Sequence, residues 1–252
     1  MPRDLYKYVK WDDRTRLVLL RNALYLPTSS QFNDPFDCRL PLSFNHNVRE
    51  YADEINAWAN RVNQRYGKRV VEPMSRGFLQ HNAPLGLKMQ YESYMEEINH
   101  RTRVLCFTAV RDDILMWSHY SAGHTGICLR FKIANDGPFA DVKRVRYSRT
   151  SPRIDLLHDP EGHIVMTSML SKSRHWSYEK EWRLVLPHCK QDHIHFPPDQ
   201  LIGVILGCEM DRDAKSQVLC FLAERSAPVS VYEAVKKEFE FGLRIEPMMK
   251  MG

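Results

Sequence analysis

The chain lacks the features by which several protein classes are recognised from sequence. No apolar run approaches the ~20 residues that a helix needs to span a bilayer, and residues 1–6 contain no apolar segment of a signal peptide. There is no Gly-rich phosphate loop, no Gly-x-Ser-x-Gly and no His-Glu-x-x-His. These absences argue against a membrane protein, a P-loop nucleotidase and the common zinc proteases. We therefore expect a cytoplasmic protein without a membrane partner.

The cysteines also lack a pattern, because no Cys-x-x-Cys pair occurs among Cys38, Cys106, Cys128, Cys189, Cys208 and Cys220. Four of them lie in apolar runs, so we predict free buried thiols and no disulfides. The segment 188–195 holds His188, Cys189, His193 and His195, but this spacing matches no common structural zinc site. No metal is predicted.

The composition is that of an ordinary soluble domain. The chain has 252 residues, of which 43% are hydrophobic and 27% charged, and we expect one domain over 1–252 with a substantial core. A net charge of +5 is too small to identify a dedicated nucleic-acid binder. The positive charge is uneven, however, since five cations crowd residues 143–153: Lys143, Arg144, Arg146, Arg149 and Arg153. A solvated strand face is the favoured interpretation, and a rim that faces phosphate groups is the alternative.

The spacing of apolar residues predicts an α+β fold. Helices are expected at 13–24, 48–66 and 86–101, and the segment 48–101 is predicted to be a helical insertion or cap. From residue 104 onward the pattern predicts strands at 104–109, 126–132, 142–148, 181–186, 201–206, 229–234 and 239–245. A short helix follows Asp112 and ends at Gly123, and a helix at 211–225 links two strands. We expect a mostly antiparallel or split β-sheet in the C-terminal part.

Two carboxylates and an arginine alternate along one predicted strand. If Glu181 opens this strand, its period of two places Glu181 and Arg183 on one face, with Glu179 nearby. One interpretation is an ion pair that covers the face of the sheet and contributes little to stability. The other is a carboxylate pair beside an aromatic platform of Trp176 and Tyr178, which can stabilise a developing cationic sugar.

A second segment combines aromatic rings, histidines and glycines at the end of the short helix. Trp117 and Tyr120 share one helix face, His119 lies on the adjoining turn, and His124 lies between two glycines. This composition indicates a stacking site for a planar ring, although a histidine in such a turn often only bonds to backbone. For the turn-rich loop at Asn33-Asp34-Pro35, the favoured interpretation is a purely structural turn, and the alternative is a loop that shapes the site.

Four segments in chain order identify the chain as a member of a bacterial family, the domain-of-unknown-function 2971 family. The segments span nearly the whole chain: 5–8, 32–37, 116–126 and 176–183. The resemblance brings no established activity, and it implies a setting in bacterial conflict or phage defence.

More distantly, the chain resembles ADP-ribosyltransferases. Those enzymes use, in order, a His or Arg on an early strand, a central strand that holds nicotinamide, and a late Glu that is often in Glu-x-Glu. By position, Tyr6 and Lys7 correspond to the first element, Thr108 and Tyr120 to the second, and Glu181 to the third, with Glu179 as its helper. Lys7 stands where those enzymes have His or Arg.

This resemblance implies an enzyme that cleaves the N-glycosidic bond of NAD or a related nucleotide and transfers ADP-ribose to a protein or nucleic acid. NAD would then be a substrate. Glu181 would stabilise an oxocarbenium-like state, and Trp117 or Tyr120 would stack on the departing ring. Phosphate would be bound by Lys7, Arg183 or His124.

Two non-catalytic interpretations remain open. One is a nucleic-acid-binding or partner-binding module that uses the basic stretch 143–153, for which binding would depend steeply on salt. The other is an aromatic pocket that senses a nucleotide without turning it over.

Overall fold

The computed structural model describes residues 2–41, 52–155 and 161–248, and it confirms the predicted α+β class. The helices are α1 Asp13–Arg21, α2 Ala52–Tyr66, α3 Arg76–Arg101, α4 Ile114–Tyr120, α5 Glu161–Leu170 and α6 Arg212–Ala223. The strands are β1 Asp4–Val9, β2 Ala23–Tyr25, β3 Arg103–Thr108, β4 Ile127–Lys132, β5 Lys143–Arg144, β6 Arg146–Ser148, β7 Ser171–Ser173, β8 Glu181–Leu186, β9 His193–His195, β10 Leu201–Leu206, β11 Ser230–Lys236 and β12 Leu243–Pro247.

Eight strands form one mixed sheet in the order β12-β11-β10-β4-β1-β3-β8-β5. All neighbouring pairs are antiparallel except β10 and β11, which are parallel. Parallel neighbours need a crossover connection, and α6 provides it between these two strands. The predicted sheet in the C-terminal part is therefore completed by a strand from the N-terminus. β1 lies between β3 and β4 in the middle of the sheet, where both of its edges are hydrogen-bonded.

Several predicted boundaries are wrong, and local backbone geometry explains each difference. The predicted helix 13–24 ends at Arg21 because Asn22 adopts a left-handed conformation with φ of 50°, after which the chain pairs with β9. The predicted strand 142–148 is divided into β5 and β6, since the buried Val145 between them donates its N–H to Glu181 O. The last predicted strand starts only at Leu243, because the preceding residues form the hairpin bend.

The sheet is covered on both faces. One hydrophobic core joins α2, α3 and α5 to β3 through residues such as Tyr94, Ile98 and Val104. The other joins α1 and α6 to the opposite side of the sheet through Leu19, Phe131 and Val218. Residues 48–51 of the predicted helix 48–66 lie outside the described residues, and the role of 48–101 as a cap stays a prediction.

The cysteines are all free, as predicted. Only Cys38 and Cys128 are buried, and Cys220 is exposed, so the prediction that the thiols are generally buried is wrong. The helices in the described parts of the chain include none that combines the length and apolarity required to cross a membrane.

Candidate functional site

The candidate site lies where β1, β3 and β8 run side by side. The register pairs Tyr6 with Thr108 and Thr108 with Glu181, so the predicted residues of three distant segments come into one row across the sheet. A 3-10 turn at Arg174–Glu179 delivers the second carboxylate, and Lys180 follows in a left-handed conformation with φ of 43°. That reversal lets the chain enter β8 directly after Glu179.

A cavity of about 200 Å³ opens at this row. Eight of the predicted site residues line it: Tyr6, Lys7, Asn33, Thr108, Tyr120, Glu179, Glu181 and Arg183. Its walls also contain the rings of Tyr8, Phe32 and Phe107. The cavity therefore combines aromatic walls with two carboxylates.

Arg183 lies under the cavity and is almost completely buried. Its Nε and Nη2 donate to Glu181 Oε1 and Oε2 at 2.7 and 3.0 Å. Its Nη1 and Nη2 donate to Asp37 Oδ1 and Oδ2 at 3.0 and 2.5 Å, and Nη1 also donates to Met169 O at 2.8 Å. One guanidinium therefore holds two carboxylates in bidentate geometry. Glu181 and Arg183 do form an ion pair, and it is a buried pair, because both side chains are buried.

Lys172 is the second cation of the site, and it joins the two glutamates. Its Nζ donates to Glu179 Oε2 at 2.5 Å and to Glu181 Oε2 at 3.1 Å. Asp37 Oδ2 lies 3.8 Å from the same Nζ. The Trp176 ring covers this ammonium, with 5.1 Å between Nζ and the ring centroid. Three carboxylates thus share two cations in a site of low exposure.

The two glutamates differ in their pKa values. Burial tends to raise the pKa of Glu181, but the charges of Arg183 and Lys172 outweigh it and lower the pKa to about 2. Burial raises the pKa of Glu179, and Lys172 compensates only in part. Two coupled carboxyl groups with pKa values pushed apart are typical of an acid–base pair. Glu181 is the ionised member, and Glu179 is the member whose pKa lies above its ordinary value.

Tyr120 and Thr108 fix the position of Glu179. Tyr120 Oη donates to Glu179 Oε1 at 2.6 Å, and Thr108 Oγ1 donates to Glu179 O at 2.5 Å. Burial and the nearby Glu179 charge raise the pKa of Tyr120, so its hydroxyl remains a donor. On the other side, the N–H of Glu181 donates to Tyr147 Oη at 2.9 Å. The two glutamates are therefore held in place by groups on three other segments: α4, β3 and β6.

Lys7 borders the cavity from β1. Its Nζ donates to Cys106 O at 3.1 Å, and burial lowers its pKa. This lysine has no carboxylate within ion-pair distance among the described residues. It is therefore the cation of the cavity that is available to a bound anion.

Three predicted binding residues do not line the cavity. Trp117 is fully buried, donates its Nε1–H to Arg111 O and packs edge-on against Tyr8. Asp34 accepts the N–H of Phe36 and so closes the turn of the loop. His124 has φ of 69° and stacks on Trp117, and its N–H donates to Trp117 O. Their observed contacts are structural.

Three further predicted residues surround the site without lining the cavity. Trp176 covers Lys172, and its ring centroid lies 6.1 Å from that of Tyr178 and 6.4 Å from that of His119. The predicted aromatic platform therefore consists of Trp176 and Tyr178 above the Lys172–Glu179 pair. His119 is exposed and lies in an adjoining groove.

Sequence reasoning missed the roles of Lys172 and Asp37. Lys172 lies outside the predicted motifs, and Asp37 is predicted only as part of the segment 32–37. Asp37 lies 146 residues before Arg183, whereas Lys172 precedes Glu181 by only nine residues but lies on a separate strand, β7. The available signal was the pair of carboxylates itself, since buried carboxylates require buried cations. In the described ranges 2–41, 52–155 and 161–248, no group of three or more His, Cys, Asp or Glu side chains is arranged so that it could hold a metal ion.

Comparison with known proteins gives one match. Neither a curated protein nor a solved structure matches the chain significantly. Residues 116–184 match the model of a family described as "Protein of unknown function (DUF2971)". This segment runs from α4 to β8 and contains Tyr120, Lys172, Glu179, Glu181 and Arg183. This match over residues 116–184 supports the resemblance to the DUF2971 family that the motifs predict.

Proposed function

We propose that the protein is an enzyme that breaks the N-glycosidic bond of NAD or a related nucleotide and releases or transfers the ADP-ribosyl group. The observation that carries this proposal is the carboxylate pair: Glu179 and Glu181 meet at Lys172 in one cavity, with pKa values shifted in opposite directions. Glycosyl transfer commonly needs one ionised carboxylate and one that exchanges a proton.

Glu181 is proposed to stabilise the positive charge that develops on the ribose. Its carboxylate accepts three hydrogen bonds, two from Arg183 and one from Lys172. A carboxylate offers about four acceptor positions, and the remaining one is at Oε1, beside the weak thiol donor of Cys106. A ribose hydroxyl would be a stronger donor than this thiol. Because Arg183 holds the carboxylate from below, Glu181 would need little reorganisation during the reaction.

Glu179 is proposed to accept or donate the proton of the acceptor nucleophile. Its raised pKa brings it closer to neutral pH, where a general acid–base group is most effective. Asp37 and Glu181 are matched by Arg183 and Lys172, so Glu179 is the carboxylate whose protonation can change at least cost. The rings of Tyr6, Tyr8 and Phe32 would contact the departing base.

Mass spectrometry of NAD incubated with the pure protein tests this proposal, with cell lysate as the source of acceptors. We expect nicotinamide release or an added ADP-ribosyl mass. Glu181→Gln should reduce the rate by roughly 10²–10³-fold, and Glu179→Gln by roughly 10²–10⁴-fold. The matched control is Glu246→Gln, which changes an exposed glutamate on β12. No turnover, together with no NAD-dependent change in melting temperature, would overturn the proposal.

One observation favours a second candidate, a nucleic-acid-binding module. Lys143, Arg144, Arg146, Arg149 and Arg153 are all exposed, and β5 is an edge strand of the sheet. Among the described residues, none of these cations pairs with a carboxylate. They form a strip that begins at the edge strand and passes Tyr147, which contacts Glu181.

Binding of single-stranded RNA and DNA at several salt concentrations tests this candidate. We expect affinity to fall steeply with salt, and Arg144→Gln with Arg146→Gln should reduce the slope of log affinity against log salt by roughly 1–2. The control is Arg212→Gln, an exposed arginine at the start of α6. Binding that is independent of salt, or equal in all three proteins, would exclude the strip as a nucleic-acid site.

A further inference from the structure

The small cavity opens beside a much larger groove. The groove has a volume of about 1370 Å³, compared with about 200 Å³ for the cavity. Lys7, Tyr8, Pro27 and Tyr120 line both, so the two spaces meet along β1 and α4. A cavity of this size is below the range of roughly 300–1,000 Å³ that is typical for whole organic ligands. A ligand that enters the cavity with one ring must therefore continue outside it.

The groove carries an excess of positive charge. Lys7, Lys10, Arg14 and Arg21 line it, against the carboxylates of Asp12 and Asp192. Asp12 caps α1 by accepting the N–H of Thr15, and Asp192 pairs with His193. Within the parts of the chain that are described, Arg14 and Arg21 pair with no carboxylate. These guanidinium groups are free to bind an anion that lies along the groove.

The groove also offers aromatic surface beside this charge. Tyr25 on β2 lies directly opposite His193 on β9 in the register, and the two ring centroids are 5.6 Å apart. The Arg14 guanidinium lies over the Tyr25 ring at 5.5 Å from its centroid. Tyr25 Oη donates to Gln31 Oε1 at 3.1 Å, which holds the ring in place. An arginine on an aromatic face is a surface on which a nucleobase stacks while its phosphate meets the cation.

We propose that this groove binds a nucleoside diphosphate group, with Arg14 and Arg21 at the phosphates and Tyr25 and His193 at the base. The inference rests on the proposed function in one respect. If one half of a dinucleotide enters the cavity, the nucleoside diphosphate in the groove is its other half. The substrate class is then a dinucleotide, and a mononucleotide would lack the contacts in the groove.

Calorimetric titration with ADP tests the groove by itself, since ADP has a diphosphate and one nucleoside but no second ribose to enter the cavity. We expect the wild-type protein to bind ADP more tightly than adenosine. Arg14→Gln should weaken ADP binding roughly tenfold, as expected for the loss of a charge-assisted contact, and should leave adenosine binding within about twofold. Arg212→Gln serves as the control, because this exposed arginine lies on α6 outside the groove lining.

The outcomes separate this inference from the proposed function. Equal ADP binding by the wild type and Arg14→Gln, or no binding of ADP by the wild type, overturns the inference even if NAD is cleaved. Loss of ADP binding in Glu181→Gln but not in Arg14→Gln places the nucleotide in the cavity and overturns it as well. ADP binding that depends on Arg14, without any cleavage of NAD, supports the groove as a nucleotide-binding site and contradicts the proposed reaction.

Discussion

Replacement of Arg183 by methionine should be among the most damaging single changes in this protein. The guanidinium makes five hydrogen bonds to oxygen atoms, four of them to the carboxylates of Asp37 and Glu181. Arg183→Met leaves both carboxylates buried, with Lys172 as the cation that still lies beside them. Removal of one partner from a buried ion pair typically costs about 3–5 kcal/mol. For a chain of this length each kcal/mol lowers the melting temperature by roughly 2–4 °C, so we expect a decrease of roughly 6–20 °C.

Urea unfolding at neutral pH, followed by tryptophan fluorescence, measures this loss. The control is Arg144→Met, which changes an exposed arginine on the edge strand and should alter the unfolding free energy by no more than about 0.5 kcal/mol. The double variant Arg183→Met with Asp37→Leu should be less destabilised than the sum of the two single variants, because it removes one of the stranded charges. A loss below about 1 kcal/mol in Arg183→Met, or strict additivity in the double variant, would refute the reasoning.

Three further predictions concern the same fold. The pKa of Glu181 is about 2 in the folded protein, against an ordinary value of 4.5. Ionised Glu181 therefore stabilises the fold at pH values above 4.5, and this stabilisation is lost as the pH falls towards 2. In urea titrations between about pH 5 and pH 2, Glu181→Gln should lose less stability than the wild type. Tyr120→Phe removes a hydrogen bond that favours ionised Glu179, so carbon NMR should show a still higher pKa for that carboxyl, and an unchanged or lower value would contradict the assignment. Gly207→Ala places a Cβ 2.0 Å from His124 O and should cost roughly 1–3 kcal/mol or more, whereas Gly162→Ala meets no atom within 4 Å and should be neutral or stabilising by up to about 1 kcal/mol.

Local pattern was sufficient for the elements whose signals lie within a few residues. The bounds of β8 and β10 agree with the predicted strands, and α4 and α6 begin after Asp113 and Asp211, whose side chains accept N–H groups of the first turn. Hydrophobic alternation and capping are local properties, so the sequence contains them directly. The residue pattern does not predict β1. Its residues Leu5-Tyr6-Lys7-Tyr8 mix apolar, aromatic and charged side chains, and they do not show the alternation that indicates a strand.

The site was predictable in part for a related reason. The alternation of Glu181 and Arg183 places them on one face, and their contact follows from a single strand. Lys172 and Asp37 join them only because β7, β8 and the loop before α2 meet in three dimensions, which no local spacing encodes. Trp117 illustrates the opposite error. An aromatic residue beside histidines and glycines has the composition of a binding site, but helix α4 turns this ring into the core.

The distribution of charge in the site explains why two carboxylates with such different pKa values can be buried together. If Glu179 and Glu181 shared Lys172 alone, repulsion between two anions with one cation would raise at least one pKa and destabilise the fold. Arg183 removes this conflict for Glu181 by binding it in bidentate geometry, and Asp37 in turn keeps the guanidinium matched on its other side. Lys172 is then left to Glu179, with a weaker contact to Glu181. The cluster therefore has one carboxylate more than its two cations, and Glu179, which Tyr120 holds at the cavity wall, is the carboxylate whose pKa is raised. A fully matched ion-pair cluster would need no such excess and no opening, so the unequal match is the feature on which the proposal of a reactive site rests.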